Sequence, residues 1–153
     1  MNMQPVSIFV RESLPEDANV IEQLLSLSRA ESTLYRGSTF SQPSGSTSTT
    51  LSLVGGVGST VMGTLNAVRT GPDTWFIENV FVMKESREVG IGDALMLLAL
   101  RSLTEGQATR VESSAMPGDR ATKNLFERHG LVAQTILVGK SLSDPSTAER
   151  ASR

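Results

Sequence analysis

A glycine-rich segment in the second half of the chain has the composition of an anion-binding turn. Residues 87–93 read Arg-Glu-Val-Gly-Ile-Gly-Asp, between a β-rich stretch and a strongly apolar run. Glycine lets backbone amides approach a phosphate without a Cβ in the way, and a following helix favours the anion at its positive end. The segment therefore predicts either a pyrophosphate site or simply a helix start. A dinucleotide fingerprint is not met, because Leu95 stands where glycine or alanine is required.

Two other glycine-rich stretches lack residues that a nucleotide triphosphatase needs. Gly58 and Gly63 have P-loop spacing, but Thr64 stands where lysine is required. Residues 139–141, Gly-Lys-Ser, have the correct ending, but Gln134 takes the place of the first glycine. Both departures argue against a nucleotide triphosphatase.

The inventory of nucleophiles and metal ligands is short. The 153 residues include no cysteine and one histidine, His129. Disulfides, thiolate metal sites and cysteine nucleophiles are therefore excluded, and a histidine-based hydrolase or a zinc site is disfavoured. We expect no metal, and we expect His129 to be structural, in the last turn of a helix where an imidazolium suits the dipole.

The composition is that of an ordinary globular protein, and the chain carries no excess of positive charge. Lysine and arginine number 14 against 16 acidic residues, for a net charge of −2. This balance argues against nucleic acid or an anionic membrane as the main partner. The longest apolar run, residues 94–100, is far shorter than the roughly 20 residues of a membrane span. With no visible signal peptide, we expect a cytoplasmic protein with a single domain over residues 1–142.

Hydrophobic periodicity predicts six strands and three helices around these candidate residues. The predicted strands are residues 6–11, 50–54, 61–69, 75–82, 109–113 and 131–138. The predicted helices are residues 15–29, 91–103 and 119–129. Ser13 and Glu16 fit a capping box for the first helix, a turn at residues 55–59 joins the second and third strands, and Asp119 fits the N-cap of the last helix.

Two stretches are too polar to join the core. Residues 37–50 contain nine serines and threonines. They suit a mobile surface loop or a substrate-side lid that orders on binding. Residues 143–153 suit a disordered tail. The order of elements implies an α/β (α+β) class with a mixed sheet and helices on both faces.

Several of these segments resemble motifs of a known family, the GNAT acetyltransferase superfamily. Arg87-x-x-Gly90-x-Gly92 is similar to that family's acyl-coenzyme A loop, Gln/Arg-x-x-Gly-x-Gly/Ala. Residues 124–131, Asn-Leu-Phe-Glu-Arg-His-Gly-Leu, resemble its later helix-turn motif, and residues 78–82 resemble its fourth strand. The resemblance covers residues 6–140 in the family's order. It implies a mostly antiparallel central sheet with a coenzyme cleft where the fourth and fifth strands splay apart.

The resemblance also implies a set of coenzyme contacts. The pantetheine arm would pair with backbone groups of Val80, Phe81 and Val82. The pyrophosphate would lie on the amides of Arg87, Glu88, Val89, Gly90, Ile91, Gly92 and Asp93. Arg87 could add a charge contact to phosphate, or it could be a solvated loop arginine. Asp119 replaces an asparagine that often touches the coenzyme.

Glu78 stands where some members of the family keep a general base. Its apolar neighbours in the sequence lead us to expect desolvation, which would raise the pKa of the carboxyl as a base requires. The alternative is a paired or outward-facing glutamate. The family's usual general acid, a tyrosine, is replaced by Phe126, and the resemblance implies that its ring edge contacts the coenzyme near the sulfur. Tyr35, the only tyrosine, or Ser113, Ser114 or a water could supply a proton instead.

Three functions remain open at this level. The first is an N-acetyltransferase using acetyl-CoA on a primary amine of a small molecule or protein. The second is an acyl-CoA-binding module or sensor with weak or no catalysis, which the phenylalanine at position 126 favours. The third is an acidic protein-interaction domain with a coincidental glycine loop. Acceptor specificity would lie in residues 30–50, and the sequence leaves open whether two copies form a homodimer.

Overall fold

Five strands and three helices make up the described part of the chain, residues 7–35 and 49–143 of this computed structural model. The strands are β1 (Ile8–Glu12), β2 (Thr50–Val57), β3 (Thr60–Arg69), β4 (Thr74–Val82) and β5 (Arg110–Ser113). The helices are α1 (Ala18–Ser32), α2 (Ile91–Glu105) and α3 (Arg120–Arg128). Short 3₁₀ turns, Pro15–Asp17 and Lys84–Ser86, lie before α1 and in the approach to α2. The first five predicted strands and all three predicted helices are therefore confirmed.

The strands form one mixed sheet in the order β1-β2-β3-β4-β5. Every neighbouring pair is antiparallel except β4 and β5, which run parallel. A parallel neighbour requires a long crossover, and α2 supplies it between β4 and β5. The predicted α+β class with a mostly antiparallel sheet is confirmed.

The helices cover both faces of the sheet, as predicted. Leu53, Leu65 and Ala67 belong to one buried cluster with residues of α2 and α3. Side chains alternate along a strand, so neighbours such as Val54 and Thr64 point to the opposite face. On that face Ser28 of α1 contacts β4, and Leu24 of α1 is fully buried.

The glycines at the end of β2 are needed mainly because β2 and β3 lie close together there, and less because of a turn. The predicted turn over residues 55–59 is wrong in extent, because β2 continues to Val57 and the turn consists of Gly58, with φ +62°, and Ser59. A Cβ at Gly56 would lie 1.8 Å from the Thr60 carbonyl oxygen. Only glycine therefore allows β2 to bulge against β3 at this point.

Asp17 organises the entry into α1, so the predicted capping box between Ser13 and Glu16 is wrong. The Asp17 carboxylate accepts from the Leu14 amide at 2.7 Å and from the Arg11 guanidinium at 2.7 and 3.2 Å. The residue is only 5% exposed. The hydrogen bonds from Arg11, followed by the one from Leu14, hold the pKa of Asp17 below its ordinary value of 3.8.

The predicted sixth strand over residues 131–138 is also wrong. These residues follow α3 as non-regular chain, and all but the first are exposed. The sequence pattern is strand-like, but the segment has no neighbouring strand to pair with in this structure. Residues 36–48, most of the Ser/Thr-rich stretch, and residues 144–153, most of the predicted tail, lie outside the described residues. No helix of the described ranges is long and apolar enough to cross a membrane.

We predict that Asp17→Asn lowers the free energy of unfolding at pH 7 by about 1–2 kcal/mol, because it weakens a cap and charge-assisted bonds. The folded pKa lies below the unfolded one, so this stability is present above about pH 4 and is lost as pH falls through the folded pKa. Urea denaturation between pH 7 and pH 2 measures both effects. Exposed Glu16→Gln is the matched control, and equal losses in the two variants would contradict the assignment.

Candidate active site

The turn that leads into α2 holds two residues in the left-handed backbone region. Gly90, the N-cap of α2, has φ +97°, and Glu88 has φ +71°. The first hydrogen bond of the helix joins the Ala94 amide to the Gly90 carbonyl at 3.0 Å. The amides of residues 91–93 precede it and have no carbonyl one turn back to donate to. The turn therefore presents backbone donors at the positive end of a helix.

The two glycines of this turn differ in how strongly the backbone requires them. A Cβ at Gly90 would meet only Ile8 Cδ1 at 3.5 Å, so the positive φ rather than lack of space favours glycine. At Gly92 the backbone is helical, and a Cβ would make an ordinary contact with Leu125 Cδ2 at 3.6 Å. Alanine is therefore compatible with position 92 but strained at position 90.

The Arg87 side chain is hydrogen-bonded within the protein. The sequence led us to expect either a contact with phosphate or a solvated arginine, and neither expectation included these bonds. Its guanidinium donates to both Glu31 carboxylate oxygens, at 3.0 and 2.7 Å, and its Nε donates to the Val82 carbonyl at 2.8 Å. It also lies 5.3 Å from the centre of the Phe81 ring. The hydrogen bonds to Glu31 raise the pKa of Arg87 and outweigh the effect of its partial burial. Arg87 thus ties the turn to α1 and to the end of β4.

The Asp93 side chain, in the first turn of α2, contacts residues at the end of α3. It accepts from Arg128 at 3.2 Å and lies 2.7 Å from His129 Nε2. Burial acts to raise the pKa of Asp93, but the hydrogen bonds with His129 and Arg128 outweigh it and lower the pKa. The Arg128 guanidinium offsets a negative charge beside the α2 amides. His129 is therefore used structurally, with Asp93 as its partner, and Asp119 caps α3 as predicted by accepting from the Thr122 amide at 3.2 Å.

The parallel pairing of β4 with β5 stops halfway along β4. It joins residues 74–77 to residues 110–113, and Ser113 Oγ donates to the Ile77 carbonyl at 2.7 Å at its last step. On its other edge β4 remains paired with β3 as far as Val82. Residues 79–82 of β4 therefore have no strand beside them on the β5 side in the described part of the chain. The predicted splay between the fourth and fifth strands is confirmed, and it leads towards the turn before α2.

Glu78 is the extra residue of a β-bulge where the splay begins. Asn66 of β3 pairs with Asn79, whereas Ala67 pairs with Ile77, so Glu78 has no opposite residue. The side chain is exposed and takes part in an interaction within the protein. The expected desolvation among apolar neighbours is therefore wrong, because the bulge turns Glu78 away from the core that buries Ile77.

The last turns of α1 cross the splay on the opposite face from α2. Ser28 Oγ donates to Asn79 Oδ1 at 2.8 Å, and Glu31 holds Arg87. Tyr35 follows one turn later, and a Cβ on Gly118, in the loop after β5, would lie 3.6 Å from its ring. Ser28 and Glu31, on one side of α1, therefore contact β4 and the α2 turn, and Tyr35, three residues beyond the end of α1, lies beside the β5–α3 loop. The Asn79 amide nitrogen is buried and has no hydrogen-bond acceptor among the described residues.

Phe126 packs into the core. It is 7% exposed and belongs to the cluster between the sheet, α2 and α3. Its neighbour Leu125 is similarly buried and reaches Gly92. The position of the family's usual tyrosine is thus filled by an apolar ring that anchors α3 next to the turn before α2.

Sequence reasoning missed Ser28, Glu31 and Asn79 as residues of this region. A signal existed: Ser28 and Glu31 are three residues apart, so they share one side of a helix. The sequence did not show which residues these side chains contact, because their partners lie 51 to 56 residues further along the chain.

Comparisons with known proteins agree with this architecture. The family model described as the Acetyltransferase (GNAT) family matches residues 21–131. A search of curated protein sequences found no match. The matched range includes most of α1, the splayed strands, the glycine turn and α3. The chain therefore belongs to the GNAT acetyltransferase family.

Solved structures share the fold at low sequence identity. A tetramutant of the BH1408 protein from Bacillus halodurans has a TM-score of 0.70 and 16% identity, covering 88% of this chain and 99% of that one. The aminoglycoside N-acetyltransferase AAC(6')-Iy, solved in complex with CoA, has a TM-score of 0.68 and 12% identity over 94% and 100%. A ribosomal-protein-alanine N-acetyltransferase from Brucella melitensis biovar Abortus 2308 has a TM-score of 0.67 and 13% identity over 89% and 100%.

We predict that Gly90→Ala destabilises the protein by about 1–2 kcal/mol, because a Cβ at positive φ is strained. Gly92→Ala is the matched control, with a Cβ that fits and a helix propensity that improves. Chemical denaturation of the two variants beside the native protein makes the comparison. A loss at Gly92 equal to that at Gly90 would show that the left-handed backbone is not what position 90 requires.

Proposed function

We propose that this protein is an N-acetyltransferase that moves an acetyl group from acetyl-CoA to a primary amine of a small molecule or protein. The observation that carries the proposal is the continuity between the splay of β4 from β5 and the amide-presenting turn before α2. A long ligand with an acyl thioester at one end and phosphates further along matches that shape. Family membership supports acetyl transfer in general, and the structural relative in complex with CoA supports the choice of donor.

The residues of the turn fit a pyrophosphate. Gly90 places no side chain between the amides and an incoming anion, and the Asp93 carboxylate is held by Arg128 and His129. We assign the phosphate contacts to the amides of residues 88–93 and the pantetheine contacts to backbone groups of residues 80–82. Arg87 contributes by holding the turn, because its guanidinium is engaged by Glu31 and the Val82 carbonyl.

The chemistry requires a neutral amine and an acceptor for its proton. The amine nitrogen attacks the thioester carbonyl, the C–S bond breaks, and the electron pair leaves with sulfur as a thiolate. Glu78 is our candidate base, since the bulge places its carboxylate where β4 loses its neighbour. Because Glu78 is exposed, it would take the proton of the attacking amine directly or through a water.

The leaving thiolate needs little assistance. A thiol has a pKa of roughly 8.5 by analogy with cysteine, so its anion departs without a strong acid. Phe126 can give no proton, and Ser113 Oγ donates to the Ile77 carbonyl. Tyr35 stays a candidate donor, because it lies beside the β5–α3 loop at the open side of the splay.

The acceptor is proposed only as a class. One structural relative is named for aminoglycosides and another for the alanine of a ribosomal protein. Both names imply a primary amine, and they differ between small molecule and protein. Most of the segment expected to select the acceptor, residues 30–50, lies outside the described residues. A panel of aminoglycosides, polyamines and peptide N-termini with labelled acetyl-CoA covers these acceptor types.

We predict that acetyl-CoA stabilises the native protein, by about 2.7 kcal/mol at 100 times its dissociation constant. Thermal melts with increasing acetyl-CoA measure this. Gly90→Asp is expected to weaken binding at least roughly tenfold more than Gly90→Asn, because the two side chains have the same shape and only one carries a charge near the phosphates. The absence of any shift at millimolar acetyl-CoA would contradict donor binding.

We predict that Glu78→Gln lowers turnover on an identified acceptor by about 10²- to 10⁴-fold and flattens its rise with pH, because general-base help is lost. Coenzyme binding in the thermal melt should stay unchanged. Exposed Glu85→Gln, in the 3₁₀ turn on the approach to α2, is the control for a general loss of charge. Full turnover by Glu78→Gln would remove Glu78 as the base while leaving acetyl transfer itself intact.

A second candidate function is an acyl-CoA sensor. The burial of Phe126 at the usual tyrosine position favours it, because no acid is available there. This candidate shares the predicted stabilisation by acetyl-CoA but predicts no acetyl transfer to any amine of the panel.

A further inference from the structure

The face of the sheet under α1 carries a row of uncharged polar side chains across three neighbouring strands. Ser52 of β2 lies opposite Asn66 of β3, and Asn66 lies opposite Asn79 of β4. Opposite residues on neighbouring strands point to the same face, so these three form one row, which we call the polar row. The adjacent Leu53 and Leu65 belong to the cluster under α2, which places the polar row on the α1 face. All three residues are half-buried, so their polar groups need hydrogen-bond partners.

The two amides of the polar row differ in whether both ends are hydrogen-bonded. Asn66 Oδ1 accepts from Ser52 Oγ at 3.1 Å, and Asn66 Nδ2 donates to Thr64 Oγ1 at 3.3 Å. Asn79 Oδ1 accepts from Ser28 Oγ of α1 at 2.8 Å. Asn79 Nδ2, however, is buried and has no acceptor among the described residues. The polar row therefore ends, at β4, on an unsatisfied N–H donor.

This donor lies where the splay begins. Asn79 is the first β4 residue beyond the paired stretch that ends at Ile77 and the bulge at Glu78. Because a buried N–H without an acceptor has lost its hydrogen bond to water, an oxygen that reaches it restores that bond. Asn79 as a residue is half-buried, so a ligand has to uncover only this nitrogen. Ser28 holds the other end of the amide, which fixes the direction of the N–H for an oxygen bound beside Glu78.

Two carboxylates at the borders of the splay already have cationic partners. Glu31 pairs with Arg87 at 2.7 Å, and Glu112, next to the last paired residue of β5, pairs with Arg110 at 3.2 Å. A second ammonium group on an acceptor gains most from a carboxylate that has no cation beside it. The polar row adds hydrogen-bonding groups but no charge. This surrounding therefore favours an acceptor with a neutral polar group over one with several positive charges.

We propose that Asn79 selects the acceptor by donating a hydrogen bond to a neutral oxygen close to the reacting amine. The acceptor class is then a monoamine with a hydroxyl or an amide carbonyl on the carbon next to the one that carries the amine. Since Glu78 and Asn79 are neighbours in the chain, the amine and the oxygen must lie close together. The inference rests on the proposed acetyl transfer and narrows its acceptors. Polyamines and simple alkyl amines lack such an oxygen and are poor acceptors.

The first test compares matched amines on the native full chain. Ethanolamine is paired with propylamine, and glycinamide with isobutylamine, so that only the oxygen-bearing group is replaced by hydrocarbon. Per neutral amine, kcat/KM should be at least roughly tenfold higher for the member with the oxygen. Putrescine, which adds a second ammonium to butylamine, should gain nothing over butylamine. Equal values within both oxygen pairs would overturn the inference and leave acetyl transfer intact, whereas no transfer to any amine would contradict the proposed function as well.

The second test changes the donor itself. The readout is the kcat/KM ratio within each pair, because the intrinsic reactivity of the two amines cancels between native protein and variant. Asn79→Leu removes the N–H and should lower the ratio roughly tenfold. Asn79→Asp keeps an oxygen for Ser28 and replaces the N–H by a carboxylate oxygen, so it should lower the same ratio and raise the rate on putrescine relative to butylamine. Thermal melts with acetyl-CoA verify that each variant folds.

Asn66→Leu is the matched control. It removes an amide from the same polar row, but one whose two ends are hydrogen-bonded within the sheet, so the ratio within each pair should stay at its native value. A native ratio in Asn79→Leu would overturn the inference, because the N–H would then have no part in acceptor choice. An equal loss in Asn66→Leu would also overturn it, because the effect would belong to the packing of the polar row.

Discussion

The early end of the β4–β5 pairing is the constraint on which the rest of the site depends. β5 is only four residues long, and its last residue, Ser113, bonds across to the Ile77 carbonyl. One residue later β4 bulges at Glu78. Because a strand that loses its neighbour must satisfy its backbone in another way, our proposal places an extended ligand along this edge of β4. The turn before α2 lies at the far end of that edge.

The open edge remains stable because helices brace it from both faces. On one face Asp93 joins the first turn of α2 to Arg128 and His129 at the end of α3. On the other, Glu31 of α1 holds Arg87, which also caps the end of β4. These ion pairs are partly exposed, so each contributes modestly to global stability. Their effect is positional, because they set where the α2 amides lie relative to the splayed strand.

Two of the strand edges without a neighbour in the described chain, on β4 and on β5, differ in origin. The gap beside residues 79–82 lies where β5 has ended, and Ser28 of α1 donates to Asn79 there. The outer edge of β5 lies at the rim of the sheet, with no strand beside it among the described residues. A backbone edge alone does not determine its partner. The side chains and helices around it do, and they differ sharply between these two places.

The sequence by itself determined the order of elements, the fold class and the glycine turn, because hydrophobic periodicity, helix caps and glycine are local signals. Asp119 and Gly90 could be placed correctly for that reason. Only the tertiary structure decided that Arg87 pairs with Glu31, that Glu78 is exposed on a bulge, and that Asp17 rather than Glu16 forms the cap. It also decided that residues 131–138 lack a strand neighbour. No pattern of nearby residues encodes a partner more than 50 positions away, as for Arg87, or a register shift in a neighbouring strand, as for Glu78. The partners of Asp17 lie within six residues, but the path of the chain into α1 decided which carboxylate they meet.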